Sequence, residues 1–259
     1  MTSIDLNSDM GESFGPYRIG APTEALMAWL TSANVACGFH AGDPRIMRET
    51  VRLAKAAGVG VGAHVGYPDR EGFGRRAMRM SAEEVATDVL YQIGALYGFC
   101  REAGVPLRHV KAHGALYNQG ERDEAVAAAL VEGVCRFRLP LVLVASPRSA
   151  MAAAAEARGL PLALEAFADR AYRPDGTLVP RSEAGSVISD PALVAARAVR
   201  LATEGRVQAA DGGDVEVRGQ TICIHGDTPG AEILAQAVHE ALTASGVAVR
   251  AFAAPADAV

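Results

Sequence analysis

Short apolar runs alternate along the chain with longer stretches of helical periodicity. The segments 33–37, 59–63, 141–145 and 162–166 have the length and composition of buried strands. Stretches in which apolar residues recur every three or four positions separate them. We count about seven or eight such strand-helix units, with no linker between them. At 259 residues, this repetition predicts one α/β domain, a closed β/α barrel with its helices outside, rather than an open sheet.

The first strand alternates polar and apolar side chains. Asp5, Asn7 and Asp9 therefore lie on one face, and Ile4 and Leu6 lie on the other. In a barrel, we expect the polar face to point inward. Further strands are predicted over 108–113, 215–217, 221–224 and 247–252.

Capping residues mark several helix ends. Asp43 can cap a helix that begins at Pro44, and Gly58 suits a left-handed residue after its last turn. Ser81 and Glu84 form a capping box at the start of another helix. The predicted helices cover 23–30, 44–57, 81–102, 123–137, 149–158, 190–203 and 231–244.

Several polar side chains lie at or just beyond the C-terminal end of a predicted strand. Barrel enzymes place their chemistry at this end, so we expect the side chains to converge on one site. Each histidine could instead be a satisfied core residue; we interpret His109, inside a strand, and His239, inside a helix, in that way. The converging residues are Asp9, His40, His64, His113, Asp169 and His225.

Lys111 and a possible metal site leave alternatives open. Lys111 lies on an inward face beside His113, where it either extends its charge to the rim or neutralises an anionic substrate; we favour the second. Asp9, His40 and His64 carry donor types that suit zinc or manganese. The sequence has no HExxH motif, and its HxxxH pair, His109 and His113, lies on a predicted strand rather than on a helix, so the sequence does not decide whether a metal is bound.

Two aspartates and one long loop have further candidate roles. Asp43 and Asp227 either cap helices only, or mark helix starts that also bind an anionic group. The polar, glycine-rich segment 66–79 is longer than a simple connection and is predicted to be a functional lid.

Composition narrows the class of protein. The net charge is −5, with both signs interspersed, so we expect no nucleic-acid or membrane partner. The first residues lack the pattern of a signal peptide, which favours a cytoplasmic location. The four cysteines are far apart and are interpreted as free buried thiols. Neither GxGxxG nor GxxxxGK[ST] occurs, so no ATP site is recognisable.

Six motifs together resemble the LamB/YcsF family, and the resemblance spans nearly the whole chain. Departures from the commoner family pattern are small; Ser8, where relatives often have cysteine, argues against an indispensable thiol there. The motifs cover residues 5–12, 34–44, 62–64 with 67–69, 110–118, 167–172 and 223–229.

The resemblance implies a seven-stranded β/α barrel, related to polysaccharide deacetylases, over the single domain 1–259. It also implies the A subunit of an ATP-dependent 5-oxoprolinase, which opens the lactam of 5-oxoproline to L-glutamate with hydrolysis of ATP to ADP and phosphate. The B and C subunits of 5-oxoprolinase would be the partners. ATP would be a co-substrate bound by a partner, which fits the missing nucleotide motif.

On this basis we expect three catalytic residues. Asp9 and His113 would perform acid/base work, and Lys111 would stabilise charge. The expected substrate contacts are Asn7, Glu12, His40, Asp43, His64, Asp169, His225 and Asp227.

Two rival functions stay open at this point. The first is a stand-alone metal-dependent amide hydrolase or deacetylase, with Asp9, His40 and His64 as ligands. The second is a non-catalytic binding protein that carries 5-oxoproline or another small acid to a partner enzyme. Kinship of fold decides neither.

Overall fold

The computed structural model describes residues 2–21 and 23–253. No helix among these residues is both long and apolar enough to cross a bilayer. The strands are β1 (Ser3–Met10), β2 (Ser32–Ala36), β3 (Gly60–Val65), β4 (Leu107–Ala112), β5 (Val142–Ala145), β6 (Leu162–Phe167), β7 (Arg206–Gln208), β8 (Asp214–Glu216), β9 (Thr221–Cys223) and β10 (Ala248–Val249). The helices are α1 (Thr23–Met27), α2 (Pro44–Ala57), α3 (Ala82–Ala103), α4 (Gly114–Gly120), α5 (Glu124–Arg136), α6 (Ala150–Arg158), α7 (Pro191–Glu204) and α8 (Ala231–Ala244).

Seven parallel strands close into a barrel. Strands β1 to β6 pair in sequence order, and β9 pairs with both β6 and β1 to complete the ring. Strands β7 and β8 form a separate antiparallel pair, and β10 pairs with the first residues of β1 only. The prediction of a closed seven-stranded β/α barrel is confirmed.

Where the sequence predicted a capping residue, the predicted helix ends agree best with the structure. The Asp43 carboxylate accepts hydrogen bonds from the backbone N–H groups of Arg45 and Ile46, and Gly58 adopts a φ of 69° after α2. The capping box of Ser81 and Glu84 is formed at the start of α3. These side chains satisfy backbone groups that have no partner inside the helix, so they fix where it starts.

Two predicted elements are shorter in the structure by three residues or more. The helix predicted over 23–30 ends at Met27 and continues as a turn, in which the Trp29 N–H donates to the Leu26 carbonyl. The strand predicted over 247–252 pairs only at Ala248 and Val249. Because β9 pairs with β1 from Asp5 onward, only the first residues of β1 have an edge free for β10.

The polar face of β1 points into the barrel, as predicted. Asp5 is buried there and accepts hydrogen bonds from the hydroxyl groups of Thr31, Ser32 and Thr221. Burial is the largest influence on this carboxyl, and it raises the pKa of Asp5 to about 6, against the opposing effect of the three hydroxyl groups.

Asp5 is therefore expected to make stability depend on pH. Between its unfolded pKa of 3.8 and about 6, the folded state binds the proton more tightly, so the free energy of unfolding falls as pH rises through this window. Relative to Asp5→Asn, the wild-type protein should lose about 2 kcal/mol from pH 4 to pH 7. Urea unfolding of both proteins at several pH values measures the difference; a difference constant with pH would contradict the assignment.

Gly62 makes room for a buried histidine. A Cβ at this position would lie 2.0 Å from His109 Nε2, the atom that faces the Asn34 carboxamide oxygen at 2.8 Å. Both neighbours are buried, so neither can move away cheaply. Core packing therefore requires a glycine at position 62. His109 is a core residue, as the sequence indicated.

Gly62→Ala is expected to destabilise the protein by about 1–3 kcal/mol or more, as overpacked cores do. Gly98→Ala is the matched control, because Gly98 lies on the exposed side of α3 and a Cβ there meets nothing within 4 Å. That variant should gain up to about 1 kcal/mol from helix propensity. Chemical denaturation of the two variants checks the contrast, and equal effects would refute the packing argument.

Candidate active site

A cavity of about 360 Å³ opens at the C-terminal ends of the barrel strands. Asp9 comes from the end of β1, His64 from β3, Lys111 from β4, and His225 closely follows β9. The convergence expected from the sequence therefore occurs. The predicted site residues that line the cavity are Asp9, Glu12, His64, Lys111, His113, His225 and Asp227.

Lys111 lies at the inner end of this cavity. Its Nζ is 2.8 Å from Glu165 Oε1 and 3.2 Å from Asp9 Oδ1, and only 3% of the residue is exposed. Burial lowers the pKa of Lys111, but Asp9 and Glu165 outweigh it and raise that pKa well above the ordinary value. The amine is therefore a fixed positive charge, and its burial disfavours the interpretation that it extends to the rim.

Asp9 is the carboxylate that links the amine to the histidines. It accepts a hydrogen bond from Asn34 Nδ2 at 2.9 Å, and its Oδ2 lies 3.3 Å from His64 Nε2. Burial raises its pKa, but His64 and Lys111 hold the pKa of Asp9 well below the ordinary value. Asp9 is thus ionised and faces the cavity; its acid/base role stays a prediction.

Three histidines form a buried cluster beside Asp9. The rings of His40 and His113 are parallel, with centroids 3.8 Å apart, and His64 meets both edge to face. Burial is the main cause that lowers the pKa of His113 to about 3, so this ring is neutral near neutral pH. His40 belongs to this cluster but does not line the cavity.

Asp169 and His225 form a carboxylate-imidazole pair. The His225 Nδ1–H donates to Asp169 Oδ2 at 2.8 Å, and the His225 backbone N–H donates to the same carboxylate at 3.0 Å. The ring also stacks on Phe167, with centroids 5.5 Å apart. Asp169 is fully buried and does not line the cavity, so its role is to hold the His225 ring in position. This arrangement leaves Nε2 of His225 as the ring nitrogen that can exchange a proton with a bound molecule.

The structure separates the two aspartates that were candidate caps. Asp43 caps α2 and accepts a further hydrogen bond from the Gly15 N–H, outside the cavity lining. Asp227 does not cap α8, which begins at Ala231 after Gly230; the interpretation as a cap was wrong. Instead, the Asp227 carboxylate accepts a hydrogen bond from Arg75 Nη2 at 2.5 Å, and Asp227 lines the cavity.

Asn7 forms hydrogen bonds with three buried side chains next to the site. Its side chain donates to Glu165 at 3.0 Å and to Thr221 at 2.7 Å, and it accepts from Asn34 at 2.8 Å. It is buried and does not line the cavity, so the structure offers it no direct contact with a molecule bound there. The predicted substrate contact is therefore not supported by this placement.

Sequence reasoning missed several charged residues of the site. Glu165 could have been noticed as the one charged residue in the apolar strand β6. Arg75 lies in the segment 66–79, and the Phe73 carbonyl of that segment is 2.8 Å from His113 Nε2. Arg170 and Arg181 come from the loop after β6. Arg170 lies in the motif 167–172 beside Asp169, which could have indicated it, whereas Arg181 carries no sequence signal.

The closed barrel of seven parallel strands is a fold that solved carbohydrate esterases and deacetylases share. A family 4 carbohydrate esterase from Streptomyces lividans, solved with acetate, shares this fold with a TM-score of 0.53 at 14% identity, over 97% of this chain and 93% of that one. More narrowly, the chain belongs to the LamB/YcsF family, whose model matches residues 4–257.

Similar proteins of known name cover almost the whole chain. The A subunit of 5-oxoprolinase from Pyrococcus abyssi is 52% identical over 95% of this chain and 96% of its own length. The protein of the same name from Symbiobacterium thermophilum is 53% identical over 96% of this chain and 95% of its own. The crystal structure of the lactam utilization protein from Thermus thermophilus aligns with a TM-score of 0.92 at 51% identity, over 96% of this chain and 100% of that one.

Proposed function

We propose that this chain is the A subunit of an ATP-dependent 5-oxoprolinase and that its cavity opens the lactam of 5-oxoproline to L-glutamate. The observation that carries the proposal is that the oriented His225 and the buried cation Lys111 face one cavity of about 360 Å³. That volume lies in the lower part of the range for small-molecule sites, which suits a small cyclic acid. The names of the relatives at about half identity support the same activity.

The charges around the cavity suit an anionic substrate. Arg122 and Arg181 line its outer part and are exposed. Guanidinium groups bind carboxylates through paired hydrogen bonds, so either side chain can hold the carboxylate of 5-oxoproline. The ring amide would then lie deeper, towards His225 and Lys111.

ATP makes the amide reactive in this proposal. Transfer of the γ-phosphoryl group to the lactam oxygen releases ADP and turns the carbonyl carbon into a better electrophile. Water adds to that carbon, the carbon–nitrogen bond breaks to give the amine and an acyl phosphate, and a second water releases phosphate and L-glutamate. The B and C subunits would bind the ATP, because this sequence has no phosphate-binding motif. Since the reaction consumes ATP, we expect the complex to work in the cytoplasm.

The residues of the cavity have separate roles in ring opening. His225 accepts a proton from the attacking water and returns it to the departing nitrogen, while Asp169 keeps the imidazole in the required tautomer. Lys111 stabilises negative charge that develops on the oxygens bonded to the former carbonyl carbon. Asp9 holds the Lys111 amine and faces the same space.

ATP dependence tests the proposal against the stand-alone hydrolase. The chain is mixed with its partner subunits and 5-oxoproline, and glutamate and ADP are quantified with ATP, with its β,γ-imido analogue and without nucleotide. We expect equimolar glutamate and ADP with ATP, and neither product in the other two reactions. Glutamate formed by the chain alone without ATP would overturn the proposal in favour of an ATP-independent amide hydrolase.

A further inference from the structure

Four buried side chains converge beside the cavity without an adequate set of hydrogen bonds. Glu12, His40, His64 and His113 each direct one possible ligand atom to the same place, and these atoms all lie within 4.8 Å of one another. Each residue is at most 5% exposed, so water cannot freely solvate the group.

Two backbone carbonyls determine where the hydrogens of His64 and His113 lie. His64 Nδ1 is 3.1 Å from the Lys111 carbonyl oxygen, and His113 Nε2 is 2.8 Å from the Phe73 carbonyl oxygen. A carbonyl oxygen only accepts, so both of these nitrogens carry hydrogen. In the neutral rings, His64 Nε2 and His113 Nδ1 are then acceptors, and they face each other at 3.0 Å.

The other two members of the cluster are a carboxylate and a third imidazole. Glu12 Oε1 is 3.5 Å from His113 Nδ1 and 3.6 Å from His40 Nε2. Within residues 2–21 and 23–253, neither this oxygen nor either nitrogen of His40 has a hydrogen-bond partner. A proton shared by His64 and His113 would satisfy one contact and leave Glu12 and His40 unsatisfied. A cation that accepts several ligands would satisfy all four.

We propose that Glu12, His40, His64 and His113 bind one divalent metal cation of the zinc class at the wall of the cavity. Three imidazoles and one carboxylate suit Zn²⁺ or Co²⁺, and four ligands match the coordination number that zinc prefers. The carbonyls of Lys111 and Phe73 orient the rings as outer-shell partners do in metal sites. The ligand set suggested by the sequence included Asp9; in the structure Asp9 pairs with Lys111 and Asn34, and its Oδ2 lies 3.3 Å from His64 Nε2, next to the four proposed ligands.

Loop 66–79 encloses the proposed site. A Cβ at Gly74 would lie 2.7 Å from His40 Cβ and 2.9 Å from His113 Cδ2, and a Cβ at Gly66 would lie 2.6 Å from His40 Nδ1. The loop backbone therefore packs directly on two of the four ligands. This contact fixes the rings before any metal arrives, which lowers the cost of assembling the site.

Metal content tests the inference without any assay of lactam opening. The untagged full-length chain is stripped with a chelator and dialysed, then titrated with Zn²⁺ or Co²⁺; bound metal is measured by mass spectrometry, and Co²⁺ also by its visible absorption. We expect one metal per chain and a higher melting temperature with metal. Glu12→Gln, which keeps the shape of the side chain, should weaken binding by about 10-fold or more, and His40→Gln should do the same.

His239→Gln is the matched control, because His239 lies on α8 and contacts Trp29 far from the cluster. It should bind metal as the wild-type chain does. Absence of saturable binding to the folded wild-type chain would overturn the inference, as would equal affinity in wild type, Glu12→Gln and His40→Gln. Since the readout is bound metal, either result leaves the lactam proposal to its own test.

Discussion

Replacement of His225 by glutamine is expected to lower kcat for glutamate formation by about 10²- to 10⁴-fold, the contribution of a positioned general acid/base. Glutamine keeps a polar side chain of similar length, but it cannot take up a proton from water. His225 acts on the proton rather than on the substrate carboxylate, so the loss should appear in kcat more than in KM. The measurement is the steady-state rate with partner subunits and ATP.

Asp169→Asn provides a second readout of the same pair. Asn can donate to His225 Nδ1 and so favours the wrong tautomer, and we therefore expect a fall in kcat together with a changed pH profile. His239→Gln is the control for histidine loss and should keep the wild-type rate. If His225→Gln and His239→Gln had the same kcat, His225 would not exchange the proton.

Lys111→Met is expected to destabilise the fold by about 3–5 kcal/mol, because it leaves buried carboxylates without their cation. Glu165 and Asp9 lie 2.8 and 3.2 Å from the amine, and Glu165 is almost fully buried. Methionine has nearly the same shape as lysine, so lost packing contributes little. Guanidinium unfolding at neutral pH gives the free energy of unfolding.

A double variant separates charge from packing at Lys111. Adding Glu165→Gln to Lys111→Met removes one of the stranded charges and should recover part of the lost stability. Arg48→Met is the surface control; Arg48 pairs with Glu102 in solvent, so its loss should change stability little. A Lys111→Met variant as stable as Arg48→Met would contradict the charge network around Lys111.

The fold could be predicted where local chemistry decides it. Asp43, Gly58 and the capping box at Ser81 satisfy backbone groups by themselves, so the ends of α2 and the start of α3 follow from sequence. The end of α1 and the length of β10 depend on packing and on the free edge of β1. Such tertiary limits leave no local pattern in the sequence.

The site could be predicted only in outline. Parallel strands bring their C-terminal ends together, so Asp9, His64, Lys111 and His225 were expected to meet, and they do. The pairing of Lys111 with Glu165 depends on barrel geometry, because the two residues are far apart in sequence. Likewise, only three-dimensional contacts show which ring nitrogens are acceptors and that Asp227 meets Arg75.

The most direct test of the proposed function is glutamate formation from 5-oxoproline and ATP by the partner subunits with this chain present, absent or replaced by His225→Gln. We expect rapid formation only with the wild-type chain, and a rate near that of the reaction without it for His225→Gln. Glutamate formed equally well in all three reactions would contradict the claim that this cavity opens the lactam.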